Sequence, residues 1–124
     1  MTGSVFMTLP VPPTLNHSIG TRGKFRFLTK EYKDFLWAVA EEWARKRVED
    51  WDVNERFGVS IYLYFPTKRR CDVDNRVKPI LDALTRSGVW KDDVQVDVIR
   101  VERCEVDKEN PRAEVSIYQT KLLV

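Results

Sequence analysis

The chain has 124 residues, of which 43% are hydrophobic and 32% are charged, and its formal net charge is +2. This composition is typical of a soluble globular protein and excludes a disordered one. No apolar run approaches the ~20 residues that span a bilayer, so we expect no membrane partner. The first residues lack the basic start and apolar core of a signal peptide. We therefore expect a cytoplasmic protein that forms one domain over residues 1–124.

Ser4–Leu9 is an apolar run stopped by prolines, and it predicts a first strand that leads into an extended loop. Phe25–Phe27 predicts a brief second strand. Thr29 is a suitable helix N-cap, and a helix is expected from about residue 30 to residue 48. Its apolar stripe is Tyr32, Phe35, Leu36, Val39, Ala40 and Trp43, and its predicted solvent face is Glu41, Glu42, Arg45, Lys46 and Arg47.

Residues 57–65 are rich in β-branched and aromatic residues and predict a strand closed by Pro66. A second helix is expected to start at Asn75, with Asp74 as its cap, or at Pro79, and to end before Gly88. Residues 94–106, with a bulge where the alternation shifts phase, and residues 113–118 predict two strands of a hairpin. The predicted fold class is α+β, a mixed or antiparallel sheet with two helices packed on it.

The bases are concentrated in residues 22–33 and 68–78, and the second run lies beside an acidic cluster. That distribution suits a polyanionic substrate held near a metal, whereas two solvated basic faces are the alternative. The single histidine, His17, excludes nuclease and protease classes that need two, and in a predicted turn it is usually a solvated residue. Cys71 and Cys104 lack metal-binding spacing and are expected to be free thiols.

Five carboxylates lie within twenty-two residues, with five bases among and around them: Asp72, Asp74, Asp82, Asp92 and Asp93, with Arg69, Arg70, Arg76, Lys78 and Lys91. Either salt bridges or a bound divalent cation would relieve their repulsion. Carboxylates that follow a strand and precede a helix suit Mg²⁺ or Mn²⁺, and Lys78 would suit a scissile phosphate. The spacing leaves both explanations open, since Asp50-Trp51-Asp52 repeats the Asp-x-Asp pattern without any companion residue.

Residues 71–96, CDVDNRVKPILDALTRSGVWKDDVQV, resemble the signature of the RusA family of Holliday junction resolvases of bacteria and phages. The shared features are Asp-x-Asp-Asn, a lysine four residues after the second aspartate, Asp-Ala-Leu, and Gly-x-Trp-x-Asp-Asp. Residues 12–16 (PPTLN) and 28–32 (LTKEY) are also similar to that family. The chain departs from the pattern at Cys71 and at Pro79, and neither change removes a carboxylate.

The resemblance implies a homodimeric, Mg²⁺-dependent endonuclease that cuts four-way junction DNA by paired, symmetric incisions. It implies that Asp72, Asp74 and Asp93 are catalytic metal ligands and that Lys78 is a catalytic basic residue. It leaves Asp82 and Asp92 open as site or structural residues. No glycine-rich phosphate loop is present, so we expect no nucleotide cofactor, and a glycosyltransferase that uses an Asp-x-Asp motif is disfavoured.

Six arginine and lysine residues in and around the motif are expected to contact DNA phosphates rather than to read bases, although each is also an ordinary surface residue. They are Arg69, Arg70, Arg76, Lys24, Arg26 and Lys30. Trp90 is expected either to stack on an unpaired base at the junction centre or to be a core or interface aromatic. The alternative to an enzyme is a non-catalytic, structure-selective DNA-binding module whose acidic cluster is structural.

Overall fold

The computed structural model describes residues 3–15 and 18–120. Its strands are β1 (Ser4–Leu9), β2 (Ile19–Arg22), β3 (Phe25–Leu28), β4 (Arg56–Tyr64), β5 (Val96–Arg103) and β6 (Arg112–Thr120). Its helices are α1 (Lys30–Lys46) and α2 (Val77–Ser87), and short 3-10 turns at Asp74–Arg76 and Asp93–Gln95 precede α2 and β5. No helix in these described ranges is long and apolar enough to cross a membrane.

Four strands form one mixed sheet in the order β1-β6-β4-β5, and β2 and β3 form a separate two-stranded ribbon. The pairs β1–β6 and β6–β4 are antiparallel, whereas β4–β5 is parallel. Together with two helices, this confirms the predicted α+β class. The ribbon corrects the sequence analysis in one respect, because residues 19–22 were expected to be loop and instead form β2.

The predicted hairpin of residues 94–118 is wrong. β5 pairs in parallel with β4, and β6 inserts between β1 and β4 instead of pairing with β5. The burial pattern explains the order: β6 buries Ala113, Val115 and Ile117, whereas Ile99 in β5 is exposed, as an edge strand allows. The predicted bulge is confirmed, since the register shifts at Asp97, where Phe57 pairs with Val96 and Gly58 pairs with Val98.

One hydrophobic core fills the space between this sheet and the helices. It includes Val39 of α1, Ile61 of β4, Leu84 of α2 and Ile117 of β6, all fully buried. These positions recur every second residue in the strands and every third or fourth residue in the helices, so each element presents one apolar face inward.

Helix α1 begins as predicted, because the Thr29 hydroxyl accepts a hydrogen bond from the backbone N–H of Tyr32 at 3.2 Å. Its predicted solvent face contains one error. Glu42 is buried, and its carboxylate accepts from the backbone N–H of Thr8 at 3.0 Å and pairs with Arg45. Since β1 is an edge strand, Thr8 has no strand partner on its outer side, and Glu42 satisfies that N–H instead.

Helix α2 ends at Gly88, which has φ of 92°, a left-handed conformation that glycine adopts without steric cost. It begins at Val77, between the two predicted starts at Asn75 and Pro79, and Asp74 is not its cap. Asp74 opens the 3-10 turn and caps nothing with its side chain, and Pro79 lies buried in the first turn of α2. Proline is tolerated there because the first-turn N–H groups have no partner within the helix.

Candidate functional site

The first half of the site lies on the segment between β4 and α2. β4 is buried at alternate positions and ends at Tyr64, after which residues 66–70 are exposed. Two guanidinium groups lie over the ring of Phe65, that of Arg76 at 5.3 Å and that of Arg103 at 5.1 Å from its centroid. Arg103 also donates to the backbone carbonyl of Arg69 at 2.6 Å. These contacts hold the segment that carries Asp72 and Asp74 against β5.

Lys78, in the first turn of α2, joins the two halves of the sequence motif. Its ammonium group donates to Asp93 Oδ2 at 2.8 Å and lies 2.9 Å from Asp82 Oδ1. Asp82 is one helical turn further along α2, where an i, i+4 pair is expected to meet. Asp93 is fifteen residues away and follows the loop after α2, so its contact with Lys78 is a tertiary one.

The ion pairs set the charge states of this cluster. Hydrogen bonds to Asp93 and then to Asp82 raise the pKa of Lys78 well above its usual range. The hydrogen bond from Lys78 holds the pKa of Asp93 below its usual value, against the opposing effect of partial burial. In this arrangement Lys78 is therefore an ammonium ion at neutral pH, which suits it to stabilise negative charge and not to remove a proton.

A capping box fixes the loop that carries Asp93. The Asp92 carboxylate accepts from the N–H of Val94 at 3.0 Å, while the Gln95 side-chain oxygen accepts from the N–H groups of Lys91 and Asp92, each at 3.0 Å. The Gln95 amide nitrogen donates to the carbonyls of residues 53 and 55 at 2.8 Å. Asp92 is thus a cap that positions its neighbour, which gives it a structural role.

Gln95 is a positioning residue that the sequence analysis missed. The signal was present, because Asp92-x-x-Gln95 has the spacing of a capping box. Its second role, bridging to the turn before β4, depends on contacts some forty residues away and has no local signal.

Asp72 and Asp74 are both exposed, and neither side-chain carboxylate has a hydrogen bond or ion pair to another described residue. Within residues 3–15 and 18–120, no three His, Cys, Asp or Glu residues are grouped so that they could hold a metal ion. The donor chemistry of Asp72 and Asp74 nonetheless fits Mg²⁺, which is often held by one or two carboxylates together with substrate phosphate and water. The third carboxylate, Asp93, is engaged by Lys78.

The predicted phosphate-contacting bases differ in their exposure and in whether they already form an ion pair or a hydrogen bond. Arg69, Arg70, Lys24 and Arg26 are exposed, and Lys30 is exposed but pairs with Asp34 at 3.1 Å. Arg76 is half-buried, and its guanidinium group donates to the carbonyl of Pro12. Its Nε atom is buried without a partner among the described residues, beside a groove of about 540 Å³ lined by residues that include Val11, Phe65 and Cys71.

Trp90 lies in the core, which settles the two alternatives for it. It is 1% exposed, its ring packs 5.4 Å from that of Phe57, and its indole N–H donates to the Thr85 hydroxyl at 2.7 Å. It therefore has no free face on which a base could stack. Cys71 and Cys104 are free and half-buried, as predicted. Asn16 and His17 lie outside the described residues.

Comparison with known proteins places the whole motif in one family. The family model described as Endodeoxyribonuclease RusA matches residues 10–118. The crossover junction endodeoxyribonuclease of Enterobacteria phage HK97 is 33% identical over 95 residues, which cover 77% of this chain and 78% of that protein. The enzyme of the same name from Shigella sonnei strain Ss046 is 32% identical over 116 residues, covering 91% and 92%. The match thus spans both halves of the site, and the chain belongs to the RusA endodeoxyribonuclease family.

Proposed function

We propose that this chain is a crossover junction endodeoxyribonuclease, which hydrolyses phosphodiester bonds at four-way (Holliday) DNA junctions during recombination and repair. The observation that carries the proposal is the contact of Lys78 with Asp93 at 2.8 Å. It joins the lysine that follows the Asp-x-Asp-Asn element to the second aspartate of the Gly-x-Trp-x-Asp-Asp element, and this lysine lies four residues after Asp74 in the chain.

We propose that Asp72 and Asp74 hold a divalent metal ion, with Asp93 as a third ligand, and that Mg²⁺ is the natural ion and Mn²⁺ a substitute. Nucleases that rely on clustered carboxylates are generally metal-dependent. When bound, such an ion supplies an activated water and stabilises charge on the phosphoryl group. The free, exposed state of Asp72 and Asp74 supports this assignment, because both carboxylates are available to a ligand.

Lys78 contributes a fixed positive charge. Because its pKa is raised by two carboxylates, it stays protonated when a phosphate approaches. A compact ammonium ion near the scissile phosphate favours the transition state, where negative charge builds up on the phosphoryl oxygens. Asp82 holds this ammonium group from the other side and is a positioning residue, since it contacts Lys78 and lies on the same helix.

The partner we propose is four-way junction DNA, bound by a homodimer. A junction has approximate two-fold symmetry, so a two-fold dimer presents one site to each of two opposed strands. The exposed bases Arg69, Arg70, Lys24 and Arg26 supply phosphate contacts, while Arg76 contributes from its half-buried position. Relatives from phage and enteric bacteria agree with a bacterial cytoplasmic location.

A non-catalytic DNA-binding module is the competing candidate, because ion pairs of Asp82 and Asp93 with Lys78 are also what a structural cluster would form. The test is incubation of the chain with a labelled synthetic four-way junction and with a linear duplex of the same sequence, with Mg²⁺ and with excess EDTA. We expect symmetric nicks in the junction only, and only with Mg²⁺. Junction binding without any nick under all metal conditions would favour the binding module instead.

A further inference from the structure

The two-stranded ribbon β2–β3 carries exposed aromatic rings. Phe25 is 77% exposed and Phe27 is 48% exposed. In the ribbon Arg22 lies opposite Phe25, and Gly20 lies opposite Phe27. Residues that face one another across an antiparallel pair, and residues two apart on one strand, share a face. Gly20, Arg22, Phe25 and Phe27 therefore form one face of the ribbon, which we call the aromatic face.

Gly20 shapes this face. A Cβ atom at Gly20 would lie 2.5 Å from the ring of Phe27, so the ring occupies the space above the glycine backbone. The ring thus covers the strand opposite to it. The result is an apolar surface on a two-stranded ribbon, and a planar group can stack on the faces of its rings.

The ribbon is also basic. Residues 18–28 contain Arg22, Lys24 and Arg26 and no acidic residue. None of these three bases forms an ion pair with an acid in the described part of the chain, and all three are exposed. Exposed rings with unpaired cations between them fit a polyanion that carries stacked planar groups, which is the chemistry of a nucleic acid.

The root of the ribbon, where β2 begins and β3 ends, is fixed at the start of α1, the helix that packs against α2. The backbone N–H of Thr29 donates to the carbonyl of Ser18 at 3.1 Å, which closes the ribbon at the start of α1. Thr29 also caps Tyr32, one turn into α1, and the buried Tyr32 hydroxyl lies in the field of Asp82 and Lys78, with a pKa raised first by burial and then by Asp82. Strands of four residues extend about 13 Å from this root.

We propose that the aromatic face stacks on bases that lose their stacking partners at the centre of a four-way junction, with Phe25 as the principal contact. Continuous duplex hides the faces of its bases, whereas a branch point exposes them to the rings. The ribbon then makes binding selective for junctions, while Arg22, Lys24 and Arg26 hold the flanking phosphates. This inference rests on the proposed junction substrate and assigns to Phe25 the stacking that the buried Trp90 cannot perform.

A second copy of the chain is the other occupant such a face could have. Two copies of this face would bring two Arg22 side chains together, with Lys24 in the turn beside each, and like charges in contact are unfavourable. Charge complementarity therefore favours DNA over self-association at this surface.

The test compares Phe25→Ala and Phe25→Trp with the wild type. Trp37→Ala serves as the matched control, because Trp37 is also a highly exposed aromatic residue, at 69%, but lies on α1 and not on the ribbon. Dissociation constants are measured for a junction and a duplex without divalent metal, and 2-aminopurine placed at the branch point reports unstacking. We expect Phe25→Ala to weaken junction binding roughly 10-fold, in keeping with the loss of one base–ring stack. Duplex binding should stay unchanged, Phe25→Trp should restore the junction affinity, and Trp37→Ala should behave as the wild type.

Equal junction affinity and equal 2-aminopurine signal in Phe25→Ala and the wild type would overturn the inference. A change of oligomeric state in Phe25→Ala would overturn it as well and would assign the face to self-association. Failure of the proposed junction substrate gives a different result, because the wild type itself would then bind junction and duplex equally, whereas a failure of catalysis alone would leave these affinities unchanged.

Discussion

Lys78 is the cation that two carboxylates of the site share. Its ammonium group holds Asp93 and Asp82 together, so its removal leaves the two carboxylates without their shared cation. In Lys78→Met we expect the pKa of Asp93 to rise toward its usual value of about 3.9, because the main cause of its lowering is lost. NMR titration of the side-chain carboxyl carbon of Asp93 measures this directly.

The same pair sets a pH dependence of stability. Because the folded-state pKa of Asp93 is lowered, its contribution to stability is complete above its unfolded value and is lost as the pH falls through the folded value. Lys78→Met should therefore reduce the loss of stability on acidification below about pH 4. Lys91→Met is the control, since Lys91 is exposed and lies beside Asp93 in sequence but forms no ion pair with it. An unchanged Asp93 titration in Lys78→Met would show that the pair does not persist in solution.

The hydrogen bond and the core packing of Trp90 lead to a prediction about stability. Trp90→Phe keeps most of the core volume but loses the hydrogen bond to Thr85, so we expect a loss of about 1 kcal/mol in the free energy of unfolding. Trp90→Ala should cost about 3–5 kcal/mol, as for other buried large aromatics. Urea unfolding measures both. Junction affinity of folded Trp90→Phe should equal that of the wild type, and a selective fall in affinity with stability intact would contradict the core assignment.

At the scale of elements, the loop between α2 and β5 is organised by Gln95. Its side chain makes four hydrogen bonds, to residues 53, 55, 91 and 92. Gln95→Ala should lower the free energy of unfolding by about 1–3 kcal/mol, because two part-buried carbonyls and two exposed N–H groups lose their partner. It should also lower cleavage activity more than junction affinity, since Asp93 loses its support. Gln119→Ala is the control, because Gln119 makes one such bond, to Gly3. Equal effects of the two variants would refute the bridging role.

The elements also differ in how far the sequence predicts them. β1, α1, β4 and α2 were predicted to within a few residues, because apolar periodicity, the Thr29 cap and Gly88 are local signals. β2 was missed because a four-residue strand without an apolar pattern carries little local signal. The burial of Glu42 was missed because its partner, the N–H of Thr8, is available only when β1 is an edge strand. Strand order is not defined by the local sequence pattern.

Strand order is also where the sequence analysis failed at the scale of the whole molecule. Residues 94–118 contain two strands joined by a short turn, which favours a hairpin locally, yet β6 lies between β1 and β4. The competing factor is burial, since β6 buries alternate residues and gains more in the centre of the sheet than at its edge. By contrast, Lys78, Asp82 and Asp93 were named as candidate site residues from the sequence, and the structure brings them into contact.

The dimer that the proposed function requires is a property of the whole molecule. Sedimentation velocity should give a species of twice the chain mass at micromolar concentration. On a supercoiled plasmid with an extruded cruciform, paired incision by such a dimer should yield linear product, whereas independent incisions should yield nicked circles first. A monomer in solution that releases nicked circles would contradict paired cutting by a preformed dimer.

The proposed metal-dependent hydrolysis at a junction depends on Asp72, Asp74 and Asp93, and this dependence is measured by comparing Asp74→Asn with Asp50→Asn. Both aspartates are exposed and both belong to an Asp-x-Asp pair, but Asp50 lacks the companions of the motif. With Mg²⁺ and a synthetic four-way junction, Asp74→Asn should lose cleavage at least about 100-fold while it keeps junction affinity, and Asp50→Asn should cleave as the wild type. Cleavage by Asp74→Asn at the wild-type rate, or wild-type cleavage that persists in excess EDTA, would show that these carboxylates do not hold a catalytic metal ion.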